Sequence, residues 1–266
     1  MKATLALVLA VLMLAVVGAV AYVVYSRISQ PAVEPEPVSQ SSSQATVYTP
    51  KNPNNALQQE LKKSTVDPAT LEKLMYDLGK NEDVVAWLTV PNTKIDDAVV
   101  QSHNNTFYLR RDERKKDNAY GCYFADYEST VSTRENLSRN TVIYGHSDLK
   151  DSPDGFKFSQ LFHYADKEFA DKNRIITLSV PEEKLEWEVF AVFYTDIYFD
   201  YIKVNMTDEE QQKIIDTALK ASIFDFGVPA KAPDRILTLS TCSVRDGNDG
   251  THRFVVMARL KDAAAP

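Results

Sequence analysis

The chain has 266 residues, 44% hydrophobic, 10% aromatic and 25% charged, which excludes wholesale disorder. Its 8 Gly and 12 Pro are too few for a fibrous or low-complexity protein. A net charge of −7 without any cluster of Lys and Arg argues against nucleic acid as a partner. Two cysteines, Cys122 and Cys242, are too few for a disulfide framework or a four-cysteine zinc site. They leave either one disulfide or one reactive thiol with a bystander, and no metal-ligand or cofactor pattern is legible.

In chain order, the first feature is the uncharged run Ala3–Tyr25, bounded by Lys2 and Arg27. As a helix it would reach about 35 Å, enough for a hydrocarbon core of about 30 Å. Ala19-Val20-Ala21 would serve as a signal-peptide cleavage site, but the apolar run continues through Tyr22–Tyr25. Residues 1–27 are therefore read as an uncleaved anchor touching membrane lipid, with the rest of the chain extracellular. Residues 28–53 are rich in Pro, Ser, Gln and Glu and read as a spacer. Over the first 50 residues Lys2 and Arg27 balance Glu34 and Glu36, so the whole net charge falls on residues 51–266. The domain that follows the spacer is 54–266.

That domain opens with an amphipathic candidate, Asn54–Lys63. A second helix is signalled by Asp67-Pro68 as N-cap and first helical residue, with Leu71, Leu74, Met75 and Leu78 at helical spacing and Gly79 as stop. The period then becomes strand-like over Val84–Val90, Ile95–Gln101, Gly121–Asp126, Thr141–Gly145, Ile175–Val180, Leu185–Tyr198, Ile236–Cys242 and Phe254–Leu260. Helical interruptions fall at Phe156–Tyr164 and, behind a capping-box pattern, at Thr207–Phe224. Eight strands with few helices predict a mainly β fold, a closed or nearly closed eight-stranded barrel. The long helix is inserted before the penultimate strand.

Three residues at strand ends carry candidate chemistry. Cys242 ends the apolar strand from Ile236 and precedes a polar turn, and period-2 geometry puts Ser240 on its face. His146 leaves another apolar run through Gly145, and a His near such a Cys makes a nucleophile–base pair. If the last two strands form a hairpin, Arg253 returns beside Cys242, where a guanidinium stabilises a thiolate or an oxyanion. Cys122 reads as a buried small hydrophobe, although a bond to Cys242 is the competing arrangement. His252 is the rival to His146. Asp148 and Asp151 are candidates to orient the imidazole, against the plainer reading of a solvated acidic loop. Tyr194, Tyr198 and Tyr201 read as barrel or groove packing.

Thr238-Leu239-Ser240-Thr241-Cys242 resembles the TLxTC signature of the sortases, cell-wall transpeptidases of mainly Gram-positive bacteria. Gly145-His146 upstream and Arg253 downstream match that family in order and spacing, over about Asn54 to Leu260. The N-terminal helices, the helix at Thr207–Phe224 and the stretch Asn105-Thr106-Phe107-Tyr108-Leu109 are similar to class B. The aromatic of the class C lid motif is missing from Asp67-Pro68-Ala69.

The resemblance implies a sortase-type barrel without a cofactor, in which Cys242, His146 and Arg253 are catalytic. Asn105, Leu109, Ser240 and Ser243 would bind substrate. It implies partners as well: surface proteins ending in an NPxTN-like sorting signal, and an amine of a peptidoglycan precursor or cross-bridge. With ordinary pKa values of about 8.5 for Cys and 6.5 for His, both are mostly neutral at pH 7, so the thiolate–imidazolium pair is a minor form unless Arg253 shifts it. The competing readings are a pilin-polymerising sortase with a Lys acceptor, and a non-catalytic tethered β-domain with a Cys122–Cys242 disulfide.

Overall fold

The computed structural model describes residues 64–148, 150–247 and 250–262. The anchor, the spacer and the helix expected over 54–63 lie outside the described residues. Among the described residues no helix is long and apolar enough to cross a membrane.

Helix α1 (Pro68–Leu78) starts where the sequence signals it. The Asp67 carboxylate accepts from the Thr70 N–H at 3.0 Å, Pro68 fills the first helical position, and Gly79 closes the last turn. Eight strands follow: β1 (Val84–Thr89), β2 (Asp96–Gln101), β3 (Tyr123–Ala125), β4 (Asn140–Tyr144), β5 (Ile175–Ser179), β6 (Lys184–Asp196), β7 (Ile236–Cys242) and β8 (His252–Leu260). They close into a barrel in the order β1-β2-β3-β4-β7-β8-β6-β5, so the predicted architecture stands. Contacts β2/β3 and β4/β7 are parallel, and the other pairings are antiparallel.

Most spans agree with expectation to within two residues, and three departures bear on the fold. The strand expected over Gly121–Asp126 keeps only Tyr123–Ala125, because Gly121 takes a positive φ of 56° that breaks the extended run. The interruption expected at Phe156–Tyr164 is a 3₁₀ segment, Lys157–Ala165, continued by a short helix α2 (Lys167–Lys172) whose N-cap is Asp166. The long helix α3 (Asp208–Ala221) has its capping box: Glu210 N–H donates to the Thr207 hydroxyl and the Glu210 carboxylate accepts from Thr207 N–H. It ends three residues before Phe224, and lies between β6 and β7, before the penultimate strand.

Strand alternation sorts the apolar side chains onto two faces. Ala86, Leu88, Val99, Tyr123 and Ala125 join the main core, to which α3 adds Ile214, Ile215 and Ala218. Their alternates Trp87, Ala98, Val100, Cys122 and Phe124 form a second cluster under Leu74 of α1 and Tyr108. Cys122 belongs to this second cluster and is 1% exposed.

Candidate active site

Strand register brings the three strand-end residues to one rim. In the parallel β4/β7 pair Tyr144 lies opposite Ser240, so Gly145-His146 and Thr241-Cys242 leave the sheet side by side. In the antiparallel β7/β8 pair Cys242 lies opposite Arg253, the hairpin arrangement expected from sequence. A cleft of about 350 Å³ opens at this rim, lined by His146, Cys242 and Arg253 together with Asn105, Leu109 and Ser240.

The two exits are stitched together. Gly145 N–H donates to Ser240 O at 3.3 Å, the Thr241 hydroxyl to Gly145 O at 2.7 Å, and the Ser147 hydroxyl to the carbonyl of Cys242 at 2.6 Å. Residue 145 must be glycine for steric reasons: a Cβ there would lie 2.7 Å from the Phe158 ring. Next to it, His146 Nε2 lies 2.8 Å from the carbonyl oxygen of Leu109. A carbonyl only accepts, so Nε2 carries the hydrogen and Nδ1 is the nitrogen left to exchange a proton.

Leu109 sits in the 3₁₀ turn Phe107–Arg110, which is itself pinned: Tyr108 OH donates to Asp83 at 2.6 Å and accepts from Asn81 Nδ2 at 2.9 Å. Gly121 closes behind it. A Cβ there would stand 2.7 Å from Tyr108 O, 2.9 Å from Leu109 O and 3.2 Å from the His146 ring, on a backbone already at φ 56°.

The Arg253 guanidinium is held at the mouth by donating from Nη1 to Gly250 O (2.7 Å) and His252 O (2.9 Å). Asn105 sits across the cleft, its Nδ2 donating to Asp126 at 2.7 Å and its Oδ1 accepting from Tyr127 N–H at 3.0 Å. The buried Ser240 hydroxyl shares a 2.8 Å hydrogen bond with Tyr201 OH. Burial pushes the Tyr201 phenol up, with the Ser240 hydrogen bond opposing.

Ser243 is the sequence candidate that does not line the cleft. Its hydroxyl donates to Asp151 at 2.6 Å, and Val244 N–H donates to the same carboxylate at 3.0 Å. Neither loop acid orients His146. Asp151 ties the loop after Cys242 to the loop after His146, while Asp148 accepts from Lys150 and Ser152 N–H within its own turn. His252 lies outside the cleft lining, its ring beside Gly247.

The disulfide alternative is overturned: both cysteines are free, Cys122 buried against α1 and Cys242 on the cleft. Burial pushes the Cys122 thiol far up, so it stays protonated and inert. Among the described residues no group of three His, Cys, Asp or Glu is placed to hold a metal.

Residues that sequence reasoning passed over complete the walls. Ile197, Phe199 and Ile202, from the loop after β6, give an apolar side, and Phe124 and Tyr144 add aromatic lining. The signal that was available is the density of apolar residues in a loop that otherwise carries Asp200 and Lys203. Tyr198 of the same loop is 83% exposed and packs in neither barrel nor groove, against expectation. Tyr201 forms part of the groove, and Tyr194 packs on Phe162 and Phe254.

A closed barrel with a Cys–His–Arg rim defines a class of thiol acyl-transfer enzymes, and the sortase domain family matches residues 88–261. The chain belongs to the sortase family, cysteine transpeptidases, and its likeness within the family is to class B. Sortase B of Listeria monocytogenes is 33% identical over 70% of this chain and 73% of its own length. The structure of a Staphylococcus aureus sortase B–substrate complex superposes with a TM-score of 0.65 at 26% identity, over 79% of this chain and 95% of that one. A sortase B complexed with triglycine gives a TM-score of 0.64 at 26% identity, over 79% and 96%.

Proposed function

We propose that this chain is a membrane-anchored sortase that cleaves an NPxTN-like C-terminal sorting signal after Thr and joins the cargo protein to a peptidoglycan amine. The observation that carries the reading is the double register of β7, parallel to β4 and antiparallel to β8, with His146, Cys242 and Arg253 on one cleft. Cys242 Sγ attacks the carbonyl carbon of that Thr, and the Arg253 guanidinium donates to the oxyanion. The C–N bond breaks as His146 delivers from Nδ1 the proton that left the thiol, so the departing amine leaves neutral and a Cys242 thioester remains. An incoming amine attacks the thioester, gives its proton to His146, and releases the thiol as the new amide forms.

The apolar wall of Ile197, Phe199 and Ile202 suits the side chains of an extended peptide, and the presence of Asn105, Leu109 and Ser240 on the same cleft supports a substrate-binding role for them. Residues 1–27 serve as the anchor and 28–53 as the spacer, which places the catalytic domain outside the cell membrane.

The test is incubation of the domain with NPxTN and LPxTG peptides and with triglycine or a lysine-bearing peptide as acceptor. The reading predicts a thioester on Cys242 and transfer of the NPxTN acyl group to triglycine. Preference for the lysine side chain would instead point to pilin polymerisation, and no adduct with either donor would refute the reading.

A further inference from the structure

One carboxylate outside the catalytic trio has an arrangement that chain folding alone does not demand. Asp126 follows β3, is 5% exposed, and does not itself line the cleft. Its N–H donates to Val142 O at 2.8 Å, which fixes it against β4. Its Oδ1 accepts from Glu128 N–H at 2.9 Å. Its Oδ2 accepts from two side chains that do line the cleft, Asn105 Nδ2 at 2.7 Å and Tyr144 OH at 2.8 Å. Those two come from separate elements, the loop after β2 and the end of β4, and meet only at this oxygen. A carboxylate buried on hydrogen bonds is costly unless each bond is made, which makes its geometry rigid.

We propose that Asp126 is a positioning residue for the sorting-signal side of the cleft, locking Asn105 as a hydrogen-bond donor and Tyr144 as an acceptor so that together they read an amide group of the donor peptide. This rests on the reading of the cleft as a sortase donor site. The polarity follows from counting valences. One Nδ2 hydrogen of Asn105 goes to Asp126 while its Oδ1 already accepts from Tyr127 N–H, so the second Nδ2 hydrogen is the donor left to offer. Tyr144 spends its only hydrogen on Asp126, so it offers lone pairs alone. Burial, then the neighbouring Asp126 charge, push the Tyr144 phenol up, which keeps that hydrogen in place. Bound to one oxygen, the two groups stand close together, as a fixed donor beside a fixed acceptor. An amide, with its C=O and N–H, is the complementary group.

The isosteric Asp126→Asn change breaks this arrangement, because a carboxamide has one accepting oxygen where the carboxylate has two, so its NH₂ must face either Glu128 N–H or the Asn105–Tyr144 pair. With whichever of the NPxTN or LPxTG peptides the wild type turns over, D126N is expected to lower kcat/KM about tenfold, chiefly through donor KM. The KM for triglycine and the rate of Cys242 alkylation by iodoacetamide should stay within twofold of wild type. Tyr144→Phe added to D126N should cost less than a further twofold, although Y144F alone costs severalfold. Additive losses, or a parallel fall in the alkylation rate, would mean a general structural role and overturn the proposal.

Should D126N not fold, the pair Asn105→Ala and Tyr144→Phe carries the same test, since both act through one oxygen and should combine less than additively. An arm without turnover separates this inference from the proposed activity. In nitrogen-15 spectra the Asn105 side-chain amide pair should shift on Tyr144→Phe and on D126N. An unmoved pair overturns the positioning role even if sorting peptides are cleaved. A moved pair with no peptide cleaved sinks the activity and leaves the positioning intact.

Discussion

The two cysteines occupy neighbouring parts of one barrel and differ in everything that decides reactivity. Cys122 points into a dry cluster formed with Leu74, Trp87, Val100 and Tyr108, and burial drives its thiol well above the ordinary range. Cys242 ends a strand at a solvent-facing rim, opposite Arg253 in register and on one cleft with His146. Cys122 directly precedes one strand and Cys242 ends another, and both strands are buried along their length up to that end, so neither composition nor local hydropathy separates them. The difference is one of position along the strand: Cys122 stands before its ladder begins and is covered by α1, whereas Cys242 stands where the ladder ends, on the open cleft. A thiol becomes a nucleophile through a partly exposed, cationic neighbourhood.

The largest test of that contrast is Cys242→Ala, which should lower sorting-peptide turnover by at least about a thousandfold while leaving the unfolding midpoint nearly unchanged. Arg253→Ala should follow with a loss of about a hundredfold in kcat, the magnitude of one lost oxyanion donor, measured in single-turnover acylation. Gly121→Ala probes the rim from behind, since its Cβ would meet the Leu109 carbonyl that holds His146. A fall of about tenfold in kcat is expected, because small misplacements of a catalytic group are amplified in rate.

Cys122→Ser should do the opposite of Cys242→Ala. It should leave kcat within twofold but cost about 1–3 kcal/mol in denaturant unfolding, through a hydroxyl buried without a partner. The smallest effect belongs to the cap of α1, the helix that covers Cys122: Asp67→Ala should cost about 1 kcal/mol. The Thr70 N–H holds the Asp67 pKa below its ordinary 3.8, with burial opposing. The cap's contribution is therefore complete above that value, and is lost as pH falls through the depressed pKa. The wild-type and D67A unfolding midpoints should converge once the pH has fallen through that depressed pKa.

Sequence patterning carried the barrel and the meeting of three strand ends at one rim because both rest on local signals. Alternating runs mark the strands, Asp67-Pro68 and Thr207–Glu210 mark helix starts, and a Cys and a His at the ends of apolar runs mark a rim. The supports of the trio were not legible, because each depends on contacts far apart in the chain. The Leu109 carbonyl reaches His146 across 37 residues, and the Ser147 hydroxyl reaches the Cys242 carbonyl across 95. Ser243 misled for the complementary reason. The family resemblance placed it at the groove, while a carboxylate 92 residues away, Asp151, takes its hydroxyl. Gly121 was legible only as a strand start, since nothing local reveals that its missing Cβ makes room for Leu109 and His146.

The most direct test of the assignment of unequal roles to the two thiols is intact mass and peptide mapping of wild-type protein quenched during turnover of an NPxTN peptide. An acyl adduct confined to Cys242, released by triglycine, is the predicted result. An adduct on Cys122, or undiminished turnover by Cys242→Ala, would contradict it.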